Sequence, residues 1–110
     1  MKGYSSDGSI YDSYRKLPLI PLHKCANCNV LDLGSNQGFF TFQAAMHGAS
    51  NAIGLELQYE DFLAAQDIKD ITKIQEVGFL NIDIKEYVFN LNKTFDLVIM
   101  NSVLHQIYPN

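Results

Sequence analysis

The sequence lacks any long apolar run, even though 47% of its 110 residues are hydrophobic. A helix that crosses a bilayer needs about 20 consecutive apolar residues, and no stretch of the chain approaches that length. No apolar stretch follows Lys2 near the N-terminus, so the start does not resemble a secretory signal peptide. We therefore expect a cytoplasmic protein without membrane contact, and the length predicts a single domain.

Basic residues are few: eight Lys and Arg stand against twelve Asp and Glu, which gives a formal net charge of -4. Proteins that bind nucleic acid usually carry a basic surface. The one small basic cluster, Arg15 and Lys16 with Lys24 further along, is typical of a solvated face. The charge therefore gives no global reason to bind nucleic acid, and a local basic patch stays open as an alternative.

Cysteine occurs only twice, as Cys25 and Cys28, with His23 just before the pair. A structural zinc ion normally takes four protein ligands, and the sequence has no second Cys pair to supply them. A redox Cys-x-x-Cys motif opens a helix after a strand, whereas this pair precedes a predicted strand. We expect two reduced thiols in a loop and no metal site.

Repeats and low-complexity tracts are also absent, and strand-like and helix-like segments alternate from residue 29 onward. The predicted strands are 29–33, 51–57, 78–83 and 95–100, and the predicted helices are 39–47, closed by Gly48, 60–76 and 85–91. Within 60–76 one helix face is expected to pack on the sheet, because apolar residues recur at helical spacing: Phe62, Ala65, Ile68, Ile71 and Ile74. Right-handed crossovers would place the four strands in one parallel sheet with flanking helices. This pattern predicts an α/β domain over residues 29–110, preceded by a leader of residues 1–28 that is a possible lid.

A glycine-rich turn, Gly34-Ser35-Asn36-Gln37-Gly38, joins the first predicted strand to the first predicted helix. Such a turn lets the backbone approach a ligand closely. A dinucleotide site would have G-x-G-x-x-G, so the G-x-x-x-G spacing disfavours a nicotinamide or flavin cofactor. Glu56 closes the second strand, where its carboxylate can accept hydrogen bonds from both hydroxyls of a ribose.

The segment Val30-Leu31-Asp32-Leu33-Gly34-Ser35-Asn36-Gln37-Gly38 is similar to motif I of the class I, Rossmann-like, S-adenosylmethionine-dependent methyltransferases. The resemblance extends over about residues 29 to 105, which correspond to the N-terminal half of that domain. It implies a Rossmann-like parallel sheet and S-adenosylmethionine as the cofactor. The cofactor-binding residues that it implies are Asp32, Gly34, Ser35, Asn36, Gly38, Glu56, Leu57, Asp83, Ile84 and Asn101.

Within that resemblance, the turn wraps the methionine part of the cofactor, and Asp32 orients the turn or meets the amino group. Glu56 binds the ribose, while Asp83 meets the adenine amino group and Ile84 packs on the ring. Asn101 lines the mouth of the active site. The methyl group passes to its acceptor by direct displacement, which can depend on positioning alone, so no catalytic residue is named.

The family usually has seven strands in the order 3-2-1-4-5-7-6, and this sequence supplies four, so we expect a sheet truncated after the fourth strand. Strand four would then have an apolar edge, which a second copy or a partner chain would cover. The methyl acceptor, a small molecule, RNA or protein, is not identified. Two alternatives remain: an inactive or truncated module that binds S-adenosylmethionine or a partner, and a fragment of a nucleotide-binding oxidoreductase.

Overall fold

The computed structural model describes residues 21–89 and 94–100, and the fold is given for those residues. The chain alternates strands and helices after a short 3-10 turn at Leu22–Lys24. In chain order the elements are β1 (Asn29–Leu33), α1 (Phe39–Met46), β2 (Asn51–Leu55), α2 (Tyr59–Thr72), β3 (Val77–Leu80), α3 (Ile84–Phe89) and β4 (Leu97–Ile99).

The four strands form one parallel sheet in the order β3-β2-β1-β4. In the register of the two central strands, Asn29 lies opposite Asn51 and Leu33 opposite Leu55. Because the strands are parallel, their carboxyl ends meet at one edge of the sheet, which we call the carboxyl edge; the opposite one is the amino edge. The predicted α/β architecture is confirmed, as is the strand order.

Apolar residues on both faces of the strands explain why the sheet is buried between helices. On one face, α1 and α2 pack over a cluster that includes Val30, Ala52 and Phe79. On the other face, Leu31, Leu33 and Leu55 form a smaller cluster beside residues of α3. The alternation along β1 therefore sends Asp32 toward the face covered by α1.

Several element boundaries differ from the prediction. The second strand ends at Leu55, so Glu56 and Leu57 lie just beyond it, and β3 ends at Leu80 instead of Asp83. Helix α2 ends at Thr72 because Lys73 takes a left-handed conformation with φ 59°, which stops the helix before residue 76.

The face of α2 that packs on the sheet is narrower than its apolar periodicity predicts. Phe62 and Ala65 pack against the sheet as predicted, but Ile71 is 80% exposed and Ile68 also belongs to the exposed apolar residues. The short strands of this sheet cover only the face of α2 that carries Phe62 and Ala65, so the apolar pattern extends beyond the packed surface.

Strand β4 pairs with β1 through Leu97, Val98 and Ile99. No described residue forms a strand on the other side of β4, and Val98 is 45% exposed. Within residues 21–89 and 94–100, no helix has the length and apolar character required to cross a membrane.

Candidate functional site

The glycine-rich turn leaves β1 at the carboxyl edge and uses three left-handed residues in alternation. Gly34, Asn36 and Gly38 have φ angles of 69°, 53° and 93°. Glycine adopts such angles without strain, and asparagine tolerates them better than most residues. Asn36 can therefore adopt the left-handed conformation at the middle position of the turn.

The turn lies directly on the neighbouring strands. A Cβ atom on Gly38 would come within 2.7 Å of Phe79 Cζ, and one on Gly54 within 2.6 Å of both Ser35 Cβ and Ser35 Oγ. The close approach continues in the backbone, since the Ser35 N–H donates to the Leu55 carbonyl over 2.9 Å. Gly54 was not predicted to matter, although a glycine inside an apolar strand is a known sign of close backbone approach.

Glu56 follows β2 at the same edge, and its carboxylate ties the turn to the end of β2. The Asn36 N–H donates to Oε1 over 2.7 Å, and the Gln58 N–H donates to Oε2 over 2.8 Å. Burial raises the pKa of Glu56, an effect that these two backbone hydrogen bonds oppose. The result is a buried acceptor pair in a defined position beside the turn.

Asp32 is the second buried carboxyl group of the site, at 2% exposure. Thr41, in the first turn of α1, donates its hydroxyl to Asp32 Oδ2 over 2.7 Å. Burial raises the pKa of Asp32 to about 7, and the hydrogen bond from Thr41 opposes that rise. Thr41 was missed in the sequence, where only its position one helical turn after the glycine-rich turn points to it.

The remaining predicted site residues differ in location and in exposure to solvent. Asp83 precedes α3 and accepts a hydrogen bond from the Lys85 N–H at Oδ1 over 2.9 Å, as a helix-capping residue does. Ile84 packs beside the apolar cluster of the second face, whereas Leu57 is 59% exposed at the carboxyl edge. Asn101 lies outside the described residues, as do most of the predicted leader and the end of the predicted domain.

The described polar side chains next to the turn are acidic or neutral. Gln37 donates its side-chain amide to Asp61 Oδ1 over 3.3 Å, and Asp61 also raises the pKa of Glu56 through its charge. Ser35 Oγ is buried and has no hydrogen-bond partner within residues 21–89 and 94–100. The arrangement therefore presents carboxylate acceptors and close backbone, which suits a ligand with hydroxyl donors and positive charge.

The cysteine pair lies at the other edge of the sheet. Cys25 and Cys28 are free thiols joined by a turn in which the Cys28 N–H donates to the Cys25 carbonyl. Burial raises the pKa of Cys25. In the described part of the chain, no three His, Cys, Asp or Glu residues are grouped so that they could hold a metal ion.

Comparisons with known proteins agree with this geometry. The sequence profile of a family described as "Methyltransferase domain" matches residues 24–110. No curated protein matches the chain significantly.

Among solved structures, the chain resembles a conserved hypothetical protein of Streptococcus pyogenes with a TM-score of 0.62 and 27% identity, over 66% of this chain and 46% of that one. It also resembles WbdD, a bifunctional kinase–methyltransferase, with a TM-score of 0.61 and 27% identity, over 87% of this chain and 21% of that one.

A likeness in fold extends to the PRMT1 enzyme–prozyme complex of Trypanosoma brucei, solved with AdoHcy (TM-score 0.67, 22% identity, 88% of this chain, 30% of that one). The chain spans less than half the length of each of these three proteins. The profile match covers most of the sequence, and the sheet order and turn geometry agree with it. The chain therefore belongs to the methyltransferase-domain family, as a member of its class I, Rossmann-like, S-adenosylmethionine-dependent type.

Proposed function

We propose that this chain binds S-adenosylmethionine at the carboxyl edge of β1 and β2 and forms the cofactor-binding part of a methyltransferase. The observation that carries the proposal is the Glu56 carboxylate, which backbone amides of Asn36 and Gln58 hold beside the glycine-rich turn. The family to which the chain belongs supports the same reaction class.

The residues fit this cofactor in chemical type. Both carboxylate oxygens of Glu56 accept backbone hydrogen bonds, and a carboxylate has about four acceptor sites, so it can also accept from ribose hydroxyls. The sulfonium and amino groups of the cofactor are positive, and the carboxyl groups of Asp32 and Glu56 lie beside the turn. A bound ammonium group would favour the ionised form of Asp32.

In this proposal, bound S-adenosylmethionine supplies an electrophilic methyl group on its sulfonium. Gly34 and Gly38 allow the backbone to lie against the methionine part, and Glu56 orients the ribose. Leu57, exposed next to Glu56, offers an apolar surface to the adenine, with Asp83 and Ile84, at the start of α3, as further predicted contacts. Asn101 stays a predicted residue of the mouth, and the transfer itself depends on alignment of the acceptor with the methyl group.

A dinucleotide is the weaker ligand for this site. A pyrophosphate binds the free amides of a glycine-rich turn, but the Asn36 amide already donates to a carboxylate. A second anion at that place would lie against Glu56, and the repulsion between the two charges would oppose binding.

A second candidate is a module that binds the cofactor or a partner without catalysis by itself. The exposed Val98 on β4 favours it, because no described residue pairs with the outer edge of this apolar strand, and such an edge calls for a covering segment. That the covering chain is a second copy or another partner stays a prediction. The methyl acceptor, a small molecule, RNA or protein, also stays unidentified. A cytoplasmic location is also proposed.

The test is calorimetric titration of the folded chain with S-adenosylmethionine and, separately, with NADH. We expect micromolar binding of S-adenosylmethionine, weakened roughly tenfold or more in Glu56→Ala because the ribose acceptors are lost. Glu76→Ala is the matched control, since it removes an exposed glutamate next to β3 at the amino edge. Binding of NADH instead would contradict the proposal, and a folded chain that binds neither ligand would favour the partner module.

A further inference from the structure

Asn81, the residue after β3, makes two side-chain hydrogen bonds that the site described so far does not include. Its Nδ2 atom donates to the Glu56 carbonyl over 2.8 Å and to the Leu57 carbonyl over 3.0 Å. Both acceptors belong to the segment that leaves β2. The Asn81 amide therefore joins the ends of two neighbouring strands at the carboxyl edge.

These bonds begin where the backbone ladder stops. The last paired residues of β2 and β3 are Leu55 and Leu80, and the final backbone bond runs from the Glu56 N–H to the Leu80 carbonyl. Beyond it the chains separate, and the carbonyls of Glu56 and Leu57 lack a backbone donor from β3. The Asn81 side chain supplies that donor and extends the connection of the strands by two residues.

The segment that Asn81 holds is the one that carries the ribose acceptor. The backbone of Glu56 is bound to Asn81 on the β3 side, and the carboxylate of the same residue is bound to the Asn36 N–H in the glycine-rich turn. A line of hydrogen bonds thus runs from β3 through Glu56 to the turn after β1. If the Asn81 amide is removed, the backbone that positions the carboxylate loses two of its restraints.

We propose that Asn81 is a positioning residue, whose amide places the Glu56 carboxylate and the glycine-rich turn before a ligand binds. The inference rests on the proposed function for its ligand, the adenosine part of the cofactor. Asn81 acts through the Glu56–Leu57 backbone and needs no contact with the cofactor. Ligands that contain the ribose should consequently lose affinity to the same extent when Asn81 is replaced.

The experiment compares Asn81→Ala and the equally shaped Asn81→Asp, which lacks the amide donor, with wild type. Asn51→Ala is the matched control, because Asn51 donates its side-chain amide to Asn29 Oδ1 at the amino edge of the same strand β2. Hydrogen exchange of the Asn36 and Gln58 amides is measured by NMR in the ligand-free chain. Affinities for S-adenosylmethionine and for adenosine are measured by calorimetry.

We expect both Asn81 variants to accelerate exchange of the two amides roughly tenfold and to weaken both ligands by the same factor, roughly five- to tenfold. Asn51→Ala should leave exchange and affinities unchanged. Unchanged exchange in a folded Asn81→Asp chain would overturn the inference, as would faster exchange with wild-type affinity for both ligands. If wild type binds neither ligand while exchange at Asn36 and Gln58 accelerates in the variants, the proposed cofactor is wrong and the positioning of Glu56 by Asn81 is supported.

Discussion

The two edges of the same parallel sheet treat their polar residues in opposite ways. At the amino edge, Asp96 Oδ2 accepts from the Asn29 N–H over 2.8 Å, and Asn51 donates to the Asn29 side chain. These groups are exposed to solvent. Losing or gaining such a hydrogen bond changes the free energy of unfolding little, because water can replace the partner. At the amino edge, exposed polar side chains thus satisfy the ends of the strands at little cost in stability.

The carboxyl edge buries several of its polar groups. Asp32 and Glu56 are 2% and 4% exposed, and the buried hydroxyl of Ser35 has no hydrogen-bond partner among the described residues. Burial of carboxyl groups and of an unpaired hydroxyl lowers stability. The difference between the edges teaches that this chain gives up folding free energy where the proposed ligand site lies, as functional sites commonly do.

The largest expected effect concerns Asp32. Burial raises its pKa from an ordinary 3.8 to about 7, so the folded chain keeps a proton that the unfolded chain releases. Between about pH 4 and pH 7 the free energy of unfolding should then fall with rising pH, on the order of 4 kcal/mol relative to Asp32→Asn. Above that window both states are ionised and the difference levels off. Urea titrations of both proteins across the pH range measure it, and parallel curves would refute the expectation.

Thr41→Val sharpens the same measurement. The Thr41 hydroxyl stabilises the ionised carboxylate and so lowers the pKa of Asp32. Without that hydroxyl, the pKa should rise further and the fall in stability should continue to higher pH than in wild type. A midpoint that stays in place or moves to lower pH would show that Thr41 does not act on Asp32 in this way.

Gly54→Ala should be the next most severe change, because it separates the turn from the sheet. The new Cβ would lie 2.6 Å from Ser35 Oγ and 2.9 Å from Phe79 Cδ1, so Ser35 or β2 must shift. We expect a loss of about 3 kcal/mol in the free energy of unfolding, measured in urea. The double variant with Ser35→Gly should recover part of the loss, and strictly additive effects would contradict the contact.

Gly78→Ala, in the neighbouring edge strand, should have the smallest effect and the opposite sign. No atom of the described residues lies within 4 Å of a Cβ at Gly78. Because alanine restricts the unfolded chain more than glycine does, we expect a gain of about 0.5–1 kcal/mol in the free energy of unfolding. A loss similar to that of Gly54→Ala would mean that the carboxyl-edge contact is not what distinguishes the two glycines.

Much of the framework was readable from the sequence because the information is local. The run Asn29-Val30-Leu31-Asp32-Leu33 predicted β1 with its observed bounds, and Gly48, with φ 96° just past the end of α1, predicted the stop of that helix. Apolar runs and turn residues act over a few positions, so their consequences need no knowledge of distant parts of the chain.

The site residues also divide into those that local sequence patterns predict and those that they do not. Motif spacing and the family resemblance together predicted Asp32, Gly34, Gly38 and Glu56 as site residues, and the structure brings Glu56 to the turn through the Asn36 amide. Whether these residues, or Asp83, Ile84 and Asn101, contact a cofactor stays a prediction. The apolar periodicity of α2 wrongly suggested that Ile71 is buried, because periodicity does not say how wide a surface the sheet offers.

By itself, then, the sequence determined the strand and helix order, the glycine-rich turn and the acid after β2, since each is a property of consecutive residues. Only the tertiary structure decided that Thr41 bonds Asp32, that Gly54 makes room for Ser35 and that Asn81 holds Glu56. Thr41 reaches Asp32 only when α1 packs back against β1, whereas the other two pairs meet only when parallel strands align their ends. Those two contacts depend on the register of the sheet, which no short segment encodes.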